Sequence, residues 1–313
     1  MKRTAFLFPG QGSQSLGMMA GMAAAHPMVE ATFAAASAVL GYDLWAVCQQ
    51  GPEEQLNRTE TTQPAMLAAG VATWRVWREA GGSLPAWMAG HSLGEYSALV
   101  ASGRLAFADA VAVVAERGRL MQQACPAGEG AMAAVLGLDD DQLEAICRAA
   151  AGAEVVSCAN YNAPGQVVIA GHRAAVERAG AAATAAGARR VLPLPVSVPS
   201  HCGLMKGAAE ELGTVLAKLR FASGEVPVIH NADVASYSDE EAVHAALVRQ
   251  LWQPVRWTET IRFLVQAGVS RFVECGPGKV LAGLNRRIDR EVEVLALQDD
   301  AALAALLGEE EAG

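Results

Sequence analysis

No two of the six cysteines, Cys48, Cys125, Cys147, Cys158, Cys202 and Cys275, stand at C-x-x-C spacing, which weakens zinc and thioredoxin-like readings. The six histidines contain no H-E-x-x-H, and no metal site is expected. No uncharged apolar run approaches the ~18 residues of a membrane span. The apolar stretch after Met1-Lys2-Arg3 stops at Pro9-Gly10, short of the roughly 7–15 residues of a signal h-region. Positive charge is in deficit, with 24 basic against 33 acidic residues and a net charge of −9 at pH 7. That argues against a nucleic-acid binder, whose affinity comes mostly from neutralising phosphates. Scattered single cysteines fit a reducing compartment. The expectation is a cytoplasmic protein with neither nucleic acid nor membrane as partner. No long amphipathic seam points to a coiled coil, so a monomer is expected.

What the chain does have is core. Of its 313 residues, 52% are hydrophobic and 18% charged, which excludes a disordered chain and suits one large domain or two unequal ones. Residues 4–8 read as a buried strand closed by Pro9-Gly10, and residues 10–14 as a loop. Helical patterns follow at 28–40 and 64–80, with Pro64 placed near the helix start, where its missing N–H is harmless. A second apolar run at 85–90 precedes helices at 92–101 and 107–124. This alternation predicts a parallel sheet covered by helices.

Residues 130–193 change character. Strands at 130–136, 154–159, 166–170 and 190–194 and helices at 139–150 and 173–186 spell β-α-β-β-α-β, a ferredoxin-like unit. Residues 160–165, rich in turn formers, read as the turn between its middle strands. After it the first pattern resumes, with helices at 203–218, 239–251, 256–267 and 279–288 and strands at 226–229, 271–275 and 292–297. Residues 309–313 read as a frayed acidic tail. The fold class expected is α/β: a hydrolase-like parallel sheet flanked by helices, residues 1–127 and 197–313, with an inserted ferredoxin-like (βαββαβ) small domain at 128–196.

Gly90-His91-Ser92-Leu93-Gly94 is a G-x-S-x-G match. Alone the pattern is weak. Its position after a strand and before a helix makes it a nucleophile elbow, with Ser92 at the head of the helix and the Leu93 N–H placed for an oxyanion. A serine nucleophile needs a base. His91 adjoins the serine and diverges from it on a tight turn. His26, His172 and His244 fall on polar helix faces or helix starts and read as solvated surface. His201 leads, because it lies where the chain returns from the inserted unit; His230, after a strand, stays open as a cleft residue. Cys202 reads as a small buried hydrophobe. On periodicity alone, Arg117 between Glu116 and Arg119 reads as a surface cation.

With these residues in place the chain resembles the malonyl-CoA:acyl-carrier-protein transacylases of bacterial fatty-acid synthesis. The resemblance spans nearly the whole sequence. It rests on Phe8-Pro9-Gly10-Gln11-Gly12-Ser13-Gln14, Thr62-Gln63-Pro64-Ala65, Gly90-His91-Ser92-Leu93-Gly94-Glu95 and Arg117-Gly118. It continues through Asn160-Tyr161-Asn162-Ala163-Pro164-Gly165-Gln166, Val198-Pro199-Ser200-His201, Gln250-Leu251 and Glu274-Cys275-Gly276-Pro277-Gly278. The resemblance implies Ser92 as nucleophile, His201 as base and the main-chain carbonyl of Gln250 as the group that orients the imidazole. A neutral carbonyl fixes tautomer and ring direction as an Asp does, while stabilising the imidazolium less. It further implies an oxyanion hole from the N–H groups of Gln11 and Leu93. Gly10 and Gly12 would then flank Gln11 so that the backbone can approach substrate. Arg117 becomes the residue that holds the malonyl carboxylate, with Gln63, His91 and Asn162 lining the same pocket. Leu93 and Ser200 favour malonyl over methylmalonyl by analogy. The partners implied are malonyl-CoA, as substrate rather than cofactor, and acyl carrier protein. No bound cofactor is expected. The carrier is acidic, so docking would use local basic clusters, Arg189 with Arg190, or Arg286 and Arg287 with Arg290.

Overall fold

The structure, a computed structural model, describes residues 2–126, 128–196 and 198–311. The expected small-domain boundaries fall beside Ala127 and Ser197, which lie outside the described residues. The first half comprises β1 (Thr4–Phe8), α1 (Ala20–Ala25), α2 (Met28–Leu40), α3 (Leu44–Gln50), α4 (Glu53–Leu56), α5 (Thr59–Glu79), β2 (Trp87–Gly90), α6 (Gly94–Ala101) and α7 (Phe107–Ala124). Next come β3 (Gly130–Leu136), α8 (Asp140–Ala151), β4 (Val156–Ala163), β5 (Gln166–His172), α9 (Arg173–Ala185) and β6 (Arg190–Pro193). The remainder holds α10 (Lys206–Leu216), β7 (Val228–Ile229), α11 (Glu240–Trp252), α12 (Trp257–Gln266), β8 (Arg271–Cys275), α13 (Val280–Ile288), β9 (Glu293–Leu297) and α14 (Asp300–Glu311).

Two sheets result. The larger is parallel, in the order β7-β2-β1-β8-β9. Helices cover both of its faces, which is why its inner strands are near-continuous apolar runs. Alternate side chains part to opposite faces: Phe6, Phe8, Met88 and Val273 join the core under α2, α5 and α7. Ala5, Leu7, Ala89 and Phe272 pack instead on Trp257, Ile261 and Leu264 of α12 and Leu281 of α13. The smaller sheet is antiparallel, in the order β4-β5-β3-β6, the arrangement expected of a ferredoxin-like unit. One face, with Val135, Val167 and Ile169, packs on Leu143 and Cys147 of α8 and Val176 and Ala179 of α9. From the opposite face Met132 and Val168 reach the cleft against the large sheet.

Several expectations change. Helix α5 begins at Thr59, so Pro64 sits in its second turn rather than at its start. The helix nucleates earlier because the N–H groups of Thr61 and Thr62 both close on the Arg58 carbonyl. Strand β4 runs to Ala163 through two register shifts, so Asn160 and Asn162 lie on a strand and only Pro164-Gly165 makes the turn. Asn160 pairs with Val168 while Asn162 is skipped at the second shift, and the strand bends toward Val255, whose carbonyl accepts the Tyr161 N–H at 2.9 Å. Strand β7 shrinks to Val228–Ile229, since Pro227 has no N–H to give to a ladder. The acidic tail is instead the end of α14, held by buried Leu303 and Leu306. The Asp299 carboxylate also accepts the Ala302 N–H at 2.9 Å. Ala312 and Gly313 lie outside the described residues. Helices α1, α3 and α4 had no counterpart in the sequence reading, being only four to seven residues long and too short to show periodicity. No single helix among the described residues is long and apolar enough to cross a membrane.

The elbow rests on close backbone contact between α6 and β1. A Cβ on Gly94 would lie 1.9 Å from the Phe8 carbonyl oxygen, a main-chain atom that cannot rotate away. Gly94→Ala is therefore expected to cost ~3 kcal/mol or more of stability, read as a lower urea midpoint at unchanged m-value.

Candidate active site

Ser92 is the turn residue between β2 and α6, and its φ of +51° is a conformation that non-glycine residues adopt only when their surroundings hold them. The holding groups are visible. The Ser92 N–H donates to Asn231 Oδ1 at 2.7 Å, and the Ser92 carbonyl accepts from Gln250 Nε2 at 2.7 Å. Ser92 Oγ lies 2.7 Å from His201 Nε2. His201 Nδ1 lies 2.8 Å from the Gln250 carbonyl. A carbonyl only accepts, so Nδ1 carries the proton and the Nε2 lone pair faces the serine hydroxyl.

The Gln250 carbonyl is available for a physical reason. Gln250 sits in the last turn of α11, where carbonyls have no partner inside the helix. The next one, of Leu251, accepts the His201 N–H at 3.2 Å. The imidazole thus meets the negative end of a helix, which adds to what one neutral carbonyl supplies toward an imidazolium.

Arg117 is 1% exposed, so the periodicity reading of a surface cation is wrong. It lies on the inward face of α7 with Val113, Val114, Leu120 and Met121, while Glu116 and Arg119 pair outside. The Arg117 Nη1 donates to Gln63 Oε1 at 2.7 Å, and Nη2 donates to Gln250 Oε1 at 3.0 Å and to Ser92 Oγ at 3.3 Å. Its Nε has no partner among the described residues. No carboxylate forms an ion pair with it among those residues. Burial lowers its pKa, and a buried cation with neutral partners and a spare donor is a site for an incoming anion.

His91 and Asn162 meet across the cleft, His91 Nε2 donating to Asn162 Oδ1 at 2.8 Å. Gln11, Gln63, His91, Ser92, Leu93, Arg117, Asn162, Ser200 and His201 all line one cleft of roughly 910 Å³, its open mouth included. Its other walls are apolar, among them Met121, Met132, Val168, Val198, Leu281 and Leu284. The N–H groups of Gln11 and Leu93 have no acceptor among the described residues. The reason offered for Gly10 changes: a Cβ there would lie 2.4 Å from the His91 carbonyl oxygen, so the close approach is to the elbow. Gly12 is required by its φ of +105°.

The arginines of the basic clusters do not line this cleft, although α13 contributes Val280, Leu281 and Leu284 to its wall. Arg189 and Arg190 are exposed at β6. Arg286 and Arg287 are exposed on α13, where Arg286 donates to the Val294 carbonyl and Arg287 to Gln166 of β5. His26, His172 and His244 are half-buried rather than solvated, each tied by a hydrogen bond, to Asp300, to the Val155 N–H and to the Gly213 carbonyl. His230 is buried on Glu95, behind the cleft. Cys202 is buried, its thiol donating to the Pro199 carbonyl and pushed up to about 12 by burial. Sequence reasoning missed Asn231, and it gave Glu95 no role. The available signal was Asn231's place just beyond β7, at the carboxyl end of a parallel strand, where ligand sites of open α/β sheets lie.

Burial, and then the Arg117 charge, lower the His201 pKa from 6.5 to about 3, so the imidazole is neutral at neutral pH. A group held neutral in the fold stabilises above its unfolded pKa. That contribution is lost as pH falls from 6.5 toward 3, because the unfolded chain takes up the proton first. Between pH 7 and pH 5 the wild type is expected to lose ~2 kcal/mol more stability than His201→Asn, measured by urea unfolding at both pH values.

An acyl transferase domain model matches residues 5–310. Malonyl CoA-acyl carrier protein transacylases of Salmonella typhimurium and Escherichia coli K12 are 59% and 58% identical over 307 residues, 98% of this chain and 99% of each relative. A solved acyl carrier protein S-malonyltransferase from Vibrio cholerae superposes with a TM-score of 0.95 at 55% identity, covering 97% of this chain and 99% of that one. A malonyl-transacylase solved in complex with a type II PKS acyl-carrier protein superposes with a TM-score of 0.97 at 55% identity, covering 98% and 99%. The chain belongs to the acyl transferase family and, within it, to the malonyl CoA-acyl carrier protein transacylases.

Proposed function

We propose that this acyltransferase carries malonyl from malonyl-CoA to the phosphopantetheine thiol of acyl carrier protein, through a malonyl ester on Ser92, supplying fatty-acid synthesis. His201 Nε2 takes the Ser92 proton as Oγ attacks the thioester carbonyl. The resulting oxyanion is held by the N–H groups of Gln11 and Leu93. Collapse breaks the C–S bond, and the departing CoA sulfur takes the proton from the imidazolium. In the second half the carrier thiol gives its proton to His201 and attacks the ester. Ser92 then leaves and recovers a proton from the same nitrogen. Two substrates visiting one serine in turn give ping-pong kinetics.

Arg117 receives the malonyl carboxylate in a charge-assisted pair, with Gln63, His91 and Asn162 around it. The observation that carries the reading is this buried guanidinium, without an ion-pair partner among the described residues, 3.3 Å from the hydroxyl of a serine bonded to histidine. The cycle calls for no resident cofactor or metal, since malonyl-CoA is consumed as substrate. The carrier docks through Arg189 and Arg190, or through Arg286 and Arg287, exposed basic pairs suited to an acidic partner. The enzyme acts in the cytoplasm as a monomer, where its six free, buried cysteines stay reduced.

The test is an intact mass after mixing the protein with malonyl-CoA alone, then adding holo carrier. A stable gain of one malonyl group that moves to the carrier is expected. Free malonate accumulating without transfer would instead identify a thioester hydrolase.

A further inference from the structure

The mechanism above gives the buried carboxylate of Glu95 no task. Glu95, in the first turn of α6, is 0% exposed, and no lysine or arginine among the described residues pairs with it. Three donors converge on it: His230 Nδ1 at 2.7 Å, the Asn231 N–H at 2.9 Å and Gln250 Nε2 at 3.2 Å. Two of those donors continue to the reacting groups. Asn231 Oδ1 takes the Ser92 N–H, while Asn231 Nδ2 donates to the Gly90 carbonyl at 2.6 Å. Gln250 Nε2 also donates to the Ser92 carbonyl, and its Oε1 accepts from Arg117.

We infer that Glu95 is a positioning residue that sets the strained Ser92 backbone and the Arg117 guanidinium as one unit, acting through Asn231 and Gln250. The chemistry of the acceptor explains why a carboxylate stands there. An ionised carboxylate only accepts, so it can satisfy all three donors. It thereby decides which end of the Gln250 amide turns to Arg117: Nε2 is drawn to Glu95, and Oε1 is left for the guanidinium. Its negative charge also answers the buried positive charge of Arg117 across that amide. A glutamine at position 95 would present an N–H₂ to at least one of the donors and remove the charge. His230 completes the cluster as the shortest donor; its Nε2 has no partner among the described residues.

The inference rests on the roles proposed for Ser92 and Arg117, and its test keeps the two apart. Acylation rate constants per active site are measured by rapid quench with malonyl-CoA and with acetyl-CoA, active sites being counted by the acyl mass gain. Displacement of reacting groups by about 1 Å costs on the order of 100-fold. For Glu95→Gln the malonyl rate constant is expected to fall about 100-fold and the acetyl one about tenfold. Only malonyl uses Arg117. Asn231→Ala, which loosens Ser92 alone, is expected to lower both rates equally. In an Arg117→Ala background, Glu95→Gln is expected to affect the two acyl groups alike.

A purely structural role would lower the count of active sites and leave the rate constant and the malonyl-to-acetyl ratio unchanged; that result overturns the inference, as does an equal fall for both acyl groups. If Glu95→Gln does not fold, Glu95→Asp keeps the charge, shortens the reach and is read by the same ratio. A wild type that takes no malonyl would instead refute the proposed function.

Discussion

Ser92→Ala is expected to abolish the malonyl mass gain and to lower CoA release from malonyl-CoA by a factor on the order of 10⁵ or more. The size follows from the absence of a substitute. The thiol next to His201, that of Cys202, is bonded to the Pro199 carbonyl and held at about 12 by burial, so it is protonated at neutral pH. What remains in the variant is the cleft, the Gln11 and Leu93 N–H groups and a base with nothing to deprotonate but water. A malonyl adduct that survives the substitution, mapped to another residue by peptide mass, would overturn the assignment of the nucleophile.

Arg117→Ala is the second large effect. Loss of a charge-assisted contact to the substrate carboxylate is expected to reduce kcat/KM for malonyl-CoA by on the order of 10²–10³. Acetyl-CoA, which has no carboxylate, is expected to change by only a few-fold, so the ratio of the two specificity constants is the readout. The variant also leaves Gln63 Oε1 and Gln250 Oε1 without their guanidinium donor, and some stability is expected to go with them. Arg117→Lys restores a charge but not a planar fork, and should recover only part of the malonyl rate. Equal losses for malonyl and acetyl would show that Arg117 holds the architecture of the site and does not select the acyl group.

The depth at which each residue could be read differs for physical reasons. Ser92 is legible because strand, turn and helix are contiguous at 87–101, although β1, Asn231 and Gln250 hold the turn in its shape. On local pattern Arg117 reads as a surface cation beside its charged neighbours, although Val113, Val114, Arg117, Leu120 and Met121 share one helical face, a spacing that marks the inward side of an amphipathic helix. Asn162 reads as a turn residue because its neighbours are turn formers; the bulges of β4 depend on pairing with β5 and Val255, which no local propensity reports.

The sequence by itself determined the alternation of strands and helices, the inserted βαββαβ unit and the serine at the strand–helix turn, since each depends on periodicity and on contacts between near neighbours. From local sequence His201 only leads over His230, and the tertiary structure shows which of them meets the serine. His201 and His230 both follow extended segments, and they separate only when α11 brings its free terminal carbonyls to His201 while Glu95 captures His230. The same closure gives a main-chain oxygen of Gln250 the place of a triad carboxylate. A carbonyl is common to every residue, so its role comes from where a helix ends in space, and no side-chain pattern encodes it.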